Sequence, residues 1–164
     1  MVNGSTSGER IRLEGRVFDG EGQPVSDAMI EIWQADAAGR YRHPSDAGPP
    51  ASDEDFIGFG RSGTDADGRF AFETVKPGSV PGQEEDRQSP HLNVLVFARG
   101  LLDRLATRAY FDDDGPIETD PFLLSLPQER RATLVARREP DTSPPVYRYD
   151  VVLQGDAETV FFDA

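Results

Sequence analysis

The apolar residues of this chain come in short alternating runs, each closed by glycine or proline, and that pattern constrains the fold more than any other feature. Side chains on a strand alternate between two faces, so a run of period two buries one face and wets the other. Residues 10–19 place Ile11, Leu13 and Val17 in one phase, and Gly20, Gly22 and Pro24 then supply a turn. Residues 28–36 set Ile30, Ile32 and Gln34 against Met29, Glu31 and Trp33, a second strand. A third runs from Arg69 to Val75, entered through the turn at 65–68, where an Asp-Gly pair suits a tight hairpin. Residues 92–99 and 105–112 read as a fourth and fifth strand, and Tyr147–Leu153 with Val160–Phe162 closes the chain. Helical signals are confined to Pro121–Ser125 and Pro127–Val135, each opened by a proline. The fold class that follows is all-β: a sandwich of mostly antiparallel strands with long loops and one or two short helices.

With 164 residues the chain makes one domain, taken as 11–164, after a leading segment 1–10 expected as a disordered or truncated arm. There is no cysteine, which removes disulfides, thiolate metal sites and cysteine nucleophiles. The formal charge of -13 opposes nucleic-acid phosphates. No run of residues is long and apolar enough for a membrane helix, and the polar start is unlike a signal peptide, so the expected location is the cytoplasm. Residues 42–63 and 77–90 are long, irregular and polar, as functional or interfacial loops are.

The two histidines, His43 and His91, invite a metal reading together with the tyrosines. A His-x-His pair on a strand would aim two imidazoles at one ion. The stretch here is His91-Leu92-Asn93, whose second position is an amide and a poor ligand. Acidic runs at 53–55 and 112–114, and the Asp65-x-Asp67 turn, lack the spacing of a calcium loop and read better as solvated or interfacial faces. Arg99 ends an apolar strand and Arg108 interrupts another. A guanidinium among apolar neighbours needs an acid, which can be a structural carboxylate or the carboxylate of a ligand. Trp33, Phe56, Phe59 and Phe161-Phe162 are more aromatic bulk than a sandwich of this size needs inside, and some of it is expected to face a partner.

Several phrases, taken jointly, are specific. Leu13-Glu-Gly-Arg-Val-Phe-Asp-Gly20 is followed by Glu31-Ile-Trp-Gln-Ala-Asp36, Gly39-x-Tyr41 and Val75-Lys-Pro-Gly78. Pro90-His91, Thr107-Arg-x-Tyr-Phe111, Tyr147-Arg-Tyr-Asp150 and Glu158-Thr-Val-Phe-Phe162 complete the set. From about residue 11 to the end this resembles the intradiol ring-cleaving dioxygenases, and within them the protocatechuate 3,4-dioxygenases, whose homologous α and β chains pair. The resemblance implies that a β subunit holds ferric iron (Fe3+) through two tyrosines and two histidines. The matching positions here are Tyr41, Val80, His91 and Asn93, so two ligands are missing and no cofactor is implied for this chain by itself. The family's arginine three residues before the first histidine falls on Gln88. The phrase Phe97-Ala-Arg-Gly100 is similar to the α type, in which the arginine, here Arg99, faces the substrate pocket, with Tyr41 as a second wall residue. Family α chains begin with an arm carrying Gln-Thr-x-Gly-Pro-Tyr; here the matching region starts at Arg10.

The resemblance therefore implies a non-catalytic α-type subunit with no catalytic residue of its own. Its partner would be a homologous iron-bearing β subunit. The pair would cleave protocatechuate with O2 to 3-carboxy-cis,cis-muconate, without nucleic acid or membrane. The alternative is a stand-alone β-sandwich binding or scaffold module that has lost catalysis.

Overall fold

The computed structural model describes residues 1–43, 56–82, 87–114 and 120–162. Its strands are β1 (Arg10–Phe18), β2 (Met29–Trp33), β3 (Phe59–Gly63), β4 (Arg69–Val75), β5 (Val80–Pro81) and β6 (Arg87–Gln88). They continue with β7 (His91–Phe97), β8 (Leu105–Phe111), β9 (Val135–Arg138), β10 (Val146–Arg148) and β11 (Val151–Val152). Two short helices, α1 (Pro121–Leu124) and α2 (Gln128–Arg131), lie between β8 and β9, and α2 runs on into a 3-10 turn, Ala132–Leu134.

Among the described residues nine strands form one continuous sheet in the order β11-β1-β10-β9-β8-β7-β2-β3, with β4 on β1; β5 and β6 pair separately. The sheet folds over so that its two halves share a core. One half contributes Ile11, Leu13 and Val17 of β1 with Phe70 and Phe72 of β4. The other contributes Ile30 and Ile32 of β2, Leu92, Val94 and Val96 of β7, and Phe111 of β8. These are the inward phases of the alternating runs, and burying them supplies most of the folding free energy. The all-β sandwich is therefore found as expected. Pairing is antiparallel except where β1 meets β10 and β11 and where β8 meets β9.

The stretch 77–90 read as loop holds the short β5 and β6, and Val160–Phe162 forms only an isolated bridge from Phe162 to Ala106. Three further elements differ from expectation. Strand β3 lies inside the stretch read as loop: its inward positions are Gly60 and Ser62, so no apolar phase marks it. The stretch Pro127–Val135 is only partly helical, and its last residue opens β9. The run Tyr147–Leu153 is broken between β10 and β11. There the Tyr149 N–H donates to the Glu14 carbonyl at 2.9 Å and the Asp150 carboxylate accepts the Arg16 N–H at 2.8 Å. Gly15 makes this possible, since a Cβ there would collide with the Tyr149 carbonyl.

In the leading segment 1–10, expected as a disordered or truncated arm, Met1 packs against the core, Thr6 is buried and Arg10 opens β1. The expected acidic run at 53–55 and the acids at 84–86 lie outside the described residues.

Candidate functional site

Register builds the site. On the outer face of one half of the sandwich, Phe59 of β3 stands opposite Trp33 of β2, and Trp33 opposite Asn93 of β7. Asn93 stands in turn opposite Arg108 of β8, which makes a single row across four strands. One step along, His91 stands opposite Tyr110. Tyr41 reaches this row through a turn after β2. The Asp36 carboxylate accepts the N–H groups of Ala38 and Arg40 at 2.9 and 3.0 Å, and Gly39 sits at φ 78°. A side chain at Gly39 would strike the Ser79 carbonyl, so glycine is needed there twice over.

The result is an open apolar groove of about 490 Å³ lined by Trp33, Phe59, Tyr41, Asn93 and Leu95, with Glu31 at its edge. At its polar end the Asn93 Nδ2 donates to the Tyr41 hydroxyl at 3.2 Å and to the Trp33 carbonyl at 3.3 Å. His91 is buried, with Nδ1 2.8 Å from the Ser89 carbonyl and its ring 5.6 Å from that of Tyr110. Burial, reinforced by the Arg108 charge, pushes the His91 imidazole down to about 4, so it is neutral at pH 7. Val80 is buried and pairs in register with Gln88. Gln88 accepts from Arg108 Nη1 at 2.8 Å. Arg108 also donates to the Tyr110 hydroxyl at 3.3 Å and lies over the Phe122 ring at 4.9 Å.

Sequence reasoning missed the residue that ties this corner together, Asp120. It is fully buried and caps α1, accepting from Phe122 and Leu123 N–H at 2.9 and 3.1 Å, while its other oxygen takes the Ser89 N–H at 2.7 Å. The available signal was Asp-Pro at the mouth of a helix, the pattern of an N-cap.

Of the four positions that the resemblance assigns to an iron ion, Tyr41 meets Asn93, His91 lies two residues along the same strand, and Val80 is linked to them through Gln88 and Arg108; their chemistry does not fit that ion. Tyr41 brings a phenol and His91 an imidazole. Val80 brings no donor atom. The Asn93 amide turns hydrogens, not lone pairs, toward Tyr41. Arg108 adds a fixed positive charge directly across from Asn93. Among the described residues no three His, Asp or Glu side chains come together as a metal cluster. His43 stands beside Trp33, ring centroids 5.9 Å apart, rather than with His91.

The other candidates separate. Arg99 is not among buried neighbours. Its side chain is 85% exposed just past the end of β7, and the acid that pairs with it is Asp27, 3.0 Å from Nε. Tyr41 bonds Asn93 near the start of β7, whereas Arg99 lies past its end, six residues beyond Asn93 and roughly 20 Å along the strand, so Arg99 and Tyr41 do not wall one cavity of this chain. Of the aromatics expected at a partner face, Trp33 and Phe59 are exposed, at 44% and 41%. Phe56 is buried, and Phe162 packs edge-on against Phe122 at 4.7 Å. The acids at 113 and 114 both pair with the single lysine, Lys76, at 2.7 Å. The Asp65–Gly68 turn is held by the Asp65 carboxylate, which accepts the N–H groups of Asp67 and Arg69.

Among the described residues no helix is long and apolar enough to cross a membrane. The chain matches the family model described as "Dioxygenase" over residues 1–155. It is 50% identical over 165 residues to the protocatechuate 3,4-dioxygenase alpha chain of Burkholderia cepacia, covering 95% of this chain and 78% of that one. To the beta chain from the same organism it is 40% identical over 161 residues, covering 94% and 68%. Among solved structures it is similar to the dioxygenase domain of a dioxygenase carbohydrate-binding protein fusion from Streptomyces sp. SirexAA-E. There the TM-score is 0.70 at 27% identity, with 94% of this chain and 85% of that one covered. The residue phrases, the sandwich and these relatives agree, and the chain belongs to the intradiol ring-cleavage dioxygenases.

Proposed function

We propose that the chain is the non-catalytic, α-type member of a protocatechuate 3,4-dioxygenase, paired with a homologous β-type chain that carries ferric iron. The observation that carries this reading is the donor set at Tyr41, Val80, His91 and Asn93, two of whose members cannot ligate, in a chain related to both an alpha and a beta chain. An enzyme acting alone needs all its ligands. One of two paired homologous chains does not.

In this reading residues 11–164 are the sandwich domain, following the segment 1–10. The pair works in the cytoplasm and opens protocatechuate with O2 to 3-carboxy-cis,cis-muconate. This chain supplies surface and charge. Arg99, exposed and steadied by Asp27, is suited to face the pocket of a neighbouring subunit and to take a substrate carboxylate through its planar fork. Tyr41, Trp33 and Phe59 line an apolar groove of the kind that pairs with another protein surface.

Co-expression with a β-type chain tests the reading. The two should co-purify and consume O2 when protocatechuate is added, and this chain alone should not. Failure of any β-type chain to co-purify or gain activity would favour the stand-alone module instead.

A further inference from the structure

We propose that the outer face of the β1, β4 and β10 half of the sandwich is a binding site for a small polycarboxylate. A groove of about 780 Å³ runs over this face, within the range of small-molecule sites. Four arginines border it: Arg12, Arg16, Arg69 and Arg148. All four stand on the outward phase of their strands, and the small side chain of Ala71 leaves the middle low.

The charges are arranged unusually. Arg16 and Arg69 are direct cross-strand partners, and like charges so placed repel. Arg69 pairs with Asp67, but among the described residues no carboxylate lies within ion-pair distance of the Arg16 guanidinium. At the other end Glu14 sits between two arginines, 2.9 Å from Arg12 Nε and 3.0 Å from Arg148 Nη2, and holds both in place. Arg148 also reaches Glu139, and Arg12 reaches Glu73, each at 3.5 Å. The remaining acid lining the groove, Asp65, accepts the Asp67 and Arg69 N–H groups through Oδ1, and its charge acts on Arg69 and Arg16 without an ion-pair contact to either.

Spacing selects the ligand. Arg12 and Arg16 are four residues apart on one strand, roughly 13 Å. An inorganic anion reaches one arginine pair at most, whereas a ligand with two or more carboxylates set apart reaches both ends. Guanidinium forks match carboxylates in the plane, two bonds at a time. The chain's overall charge of -13 opposes a long polyanion such as a nucleic acid, which leaves a small ligand. Ring opening between two hydroxylated carbons turns both into carboxylates, so the product of the proposed reaction belongs to this class. That link rests on the function proposed above; the site itself does not.

The test is calorimetric titration of the full chain at fixed ionic strength with adipate, hexanoate and inorganic phosphate. Adipate should bind about tenfold or more tightly than hexanoate, and should raise the melting temperature of the native chain under the same conditions. Arg16→Gln and Arg148→Gln should each weaken adipate about tenfold, with circular dichroism unchanged, and Arg104→Gln, on an exposed turn elsewhere, should not. Should either groove variant fail to fold, the native chain's adipate-to-hexanoate ratio and melting shift decide alone. Equal affinity for all three anions, or phosphate binding as tightly as adipate, would overturn the proposal. Because no iron, partner or turnover is involved, either result leaves the ring-cleavage reading where it stood.

Discussion

The side-chain amide of Asn93 donates a hydrogen bond to the hydroxyl of Tyr41 at 3.2 Å, so two of the four positions that the family resemblance assigns to a metal are bonded to each other. This contact sets a spectroscopic expectation. Visible colour in a tyrosinate–iron protein requires the phenolate to ligate the metal. The purified chain, incubated with iron and then desalted, is expected to be colourless. Asn93→His alone restores one imidazole without changing the buried wall. Adding Val80→Tyr restores a second phenol but overpacks a buried site, at about 1–3 kcal/mol. Iron retention should rise in the order native, single, double. Stoichiometric coloured iron in the native chain would refute this.

His91 gives the stability a pH dependence of known sign. Its folded value is pushed down to about 4 by burial and by Arg108, below the ordinary histidine value near 6.5. The unfolded chain therefore binds the proton first. The stabilisation is fully present above about pH 6.5 and is lost as the pH falls toward 4. Between pH 7 and 5 the loss is about 2 kcal/mol. Chemical denaturation of the native chain and His91→Gln at both pH values checks it: the difference in slope between them belongs to His91. Parallel curves would mean that the imidazole is hydrated.

Asp120 joins the entry of β7 to α1. Asp120→Ala would strip acceptors from the buried N–H of Leu123 and from those of Ser89 and Phe122. Loss of an N-cap costs about 1 kcal/mol, and each unsatisfied buried donor about 1–3 kcal/mol. A total of about 3 kcal/mol or more is expected, a drop of roughly 6–12 °C in melting temperature at this chain length. Asp120→Asn should keep part of it. A melting temperature within a degree of native for the alanine variant would show that these donors find water.

Arg99 is testable only in the assembled pair. There Arg99→Ala should raise KM for protocatechuate by about 10–100-fold, the loss of a charged hydrogen bond worth about 1.5–3 kcal/mol. Turnover of catechol, which has no carboxylate, should hardly change, and Arg99→Lys should recover only part. Equal damage to both substrates would assign Arg99 to the Asp27 pair and to structure.

Five strands could be read from the chain because each has an apolar inward phase: Ile11 and Leu13, Ile30 and Ile32, Phe70 and Phe72, Leu92 to Val96, Ala109 and Phe111. Strand β3 could not, since Gly60 and Ser62 fill its inward phase. The break at Tyr149-Asp150 was hidden because its cause, Gly15 and Arg16, lies more than a hundred residues away. The site shows the same division. His91 and Asn93 are two apart and visibly share a face. That Arg108 stands across from Asn93 and bonds to Gln88 depends on register between strands, which no local pattern encodes.

The central claim is that this chain completes an iron enzyme without holding the iron. Titrating it into a fixed amount of iron-loaded β-type chain, while recording iron content and protocatechuate-dependent O2 uptake, tests it most directly. Activity should rise and level off at one chain per β-type chain, with total iron unchanged and equal to the β-type chain present. Activity or iron that keeps rising with added chain, or that this chain shows by itself, would contradict it.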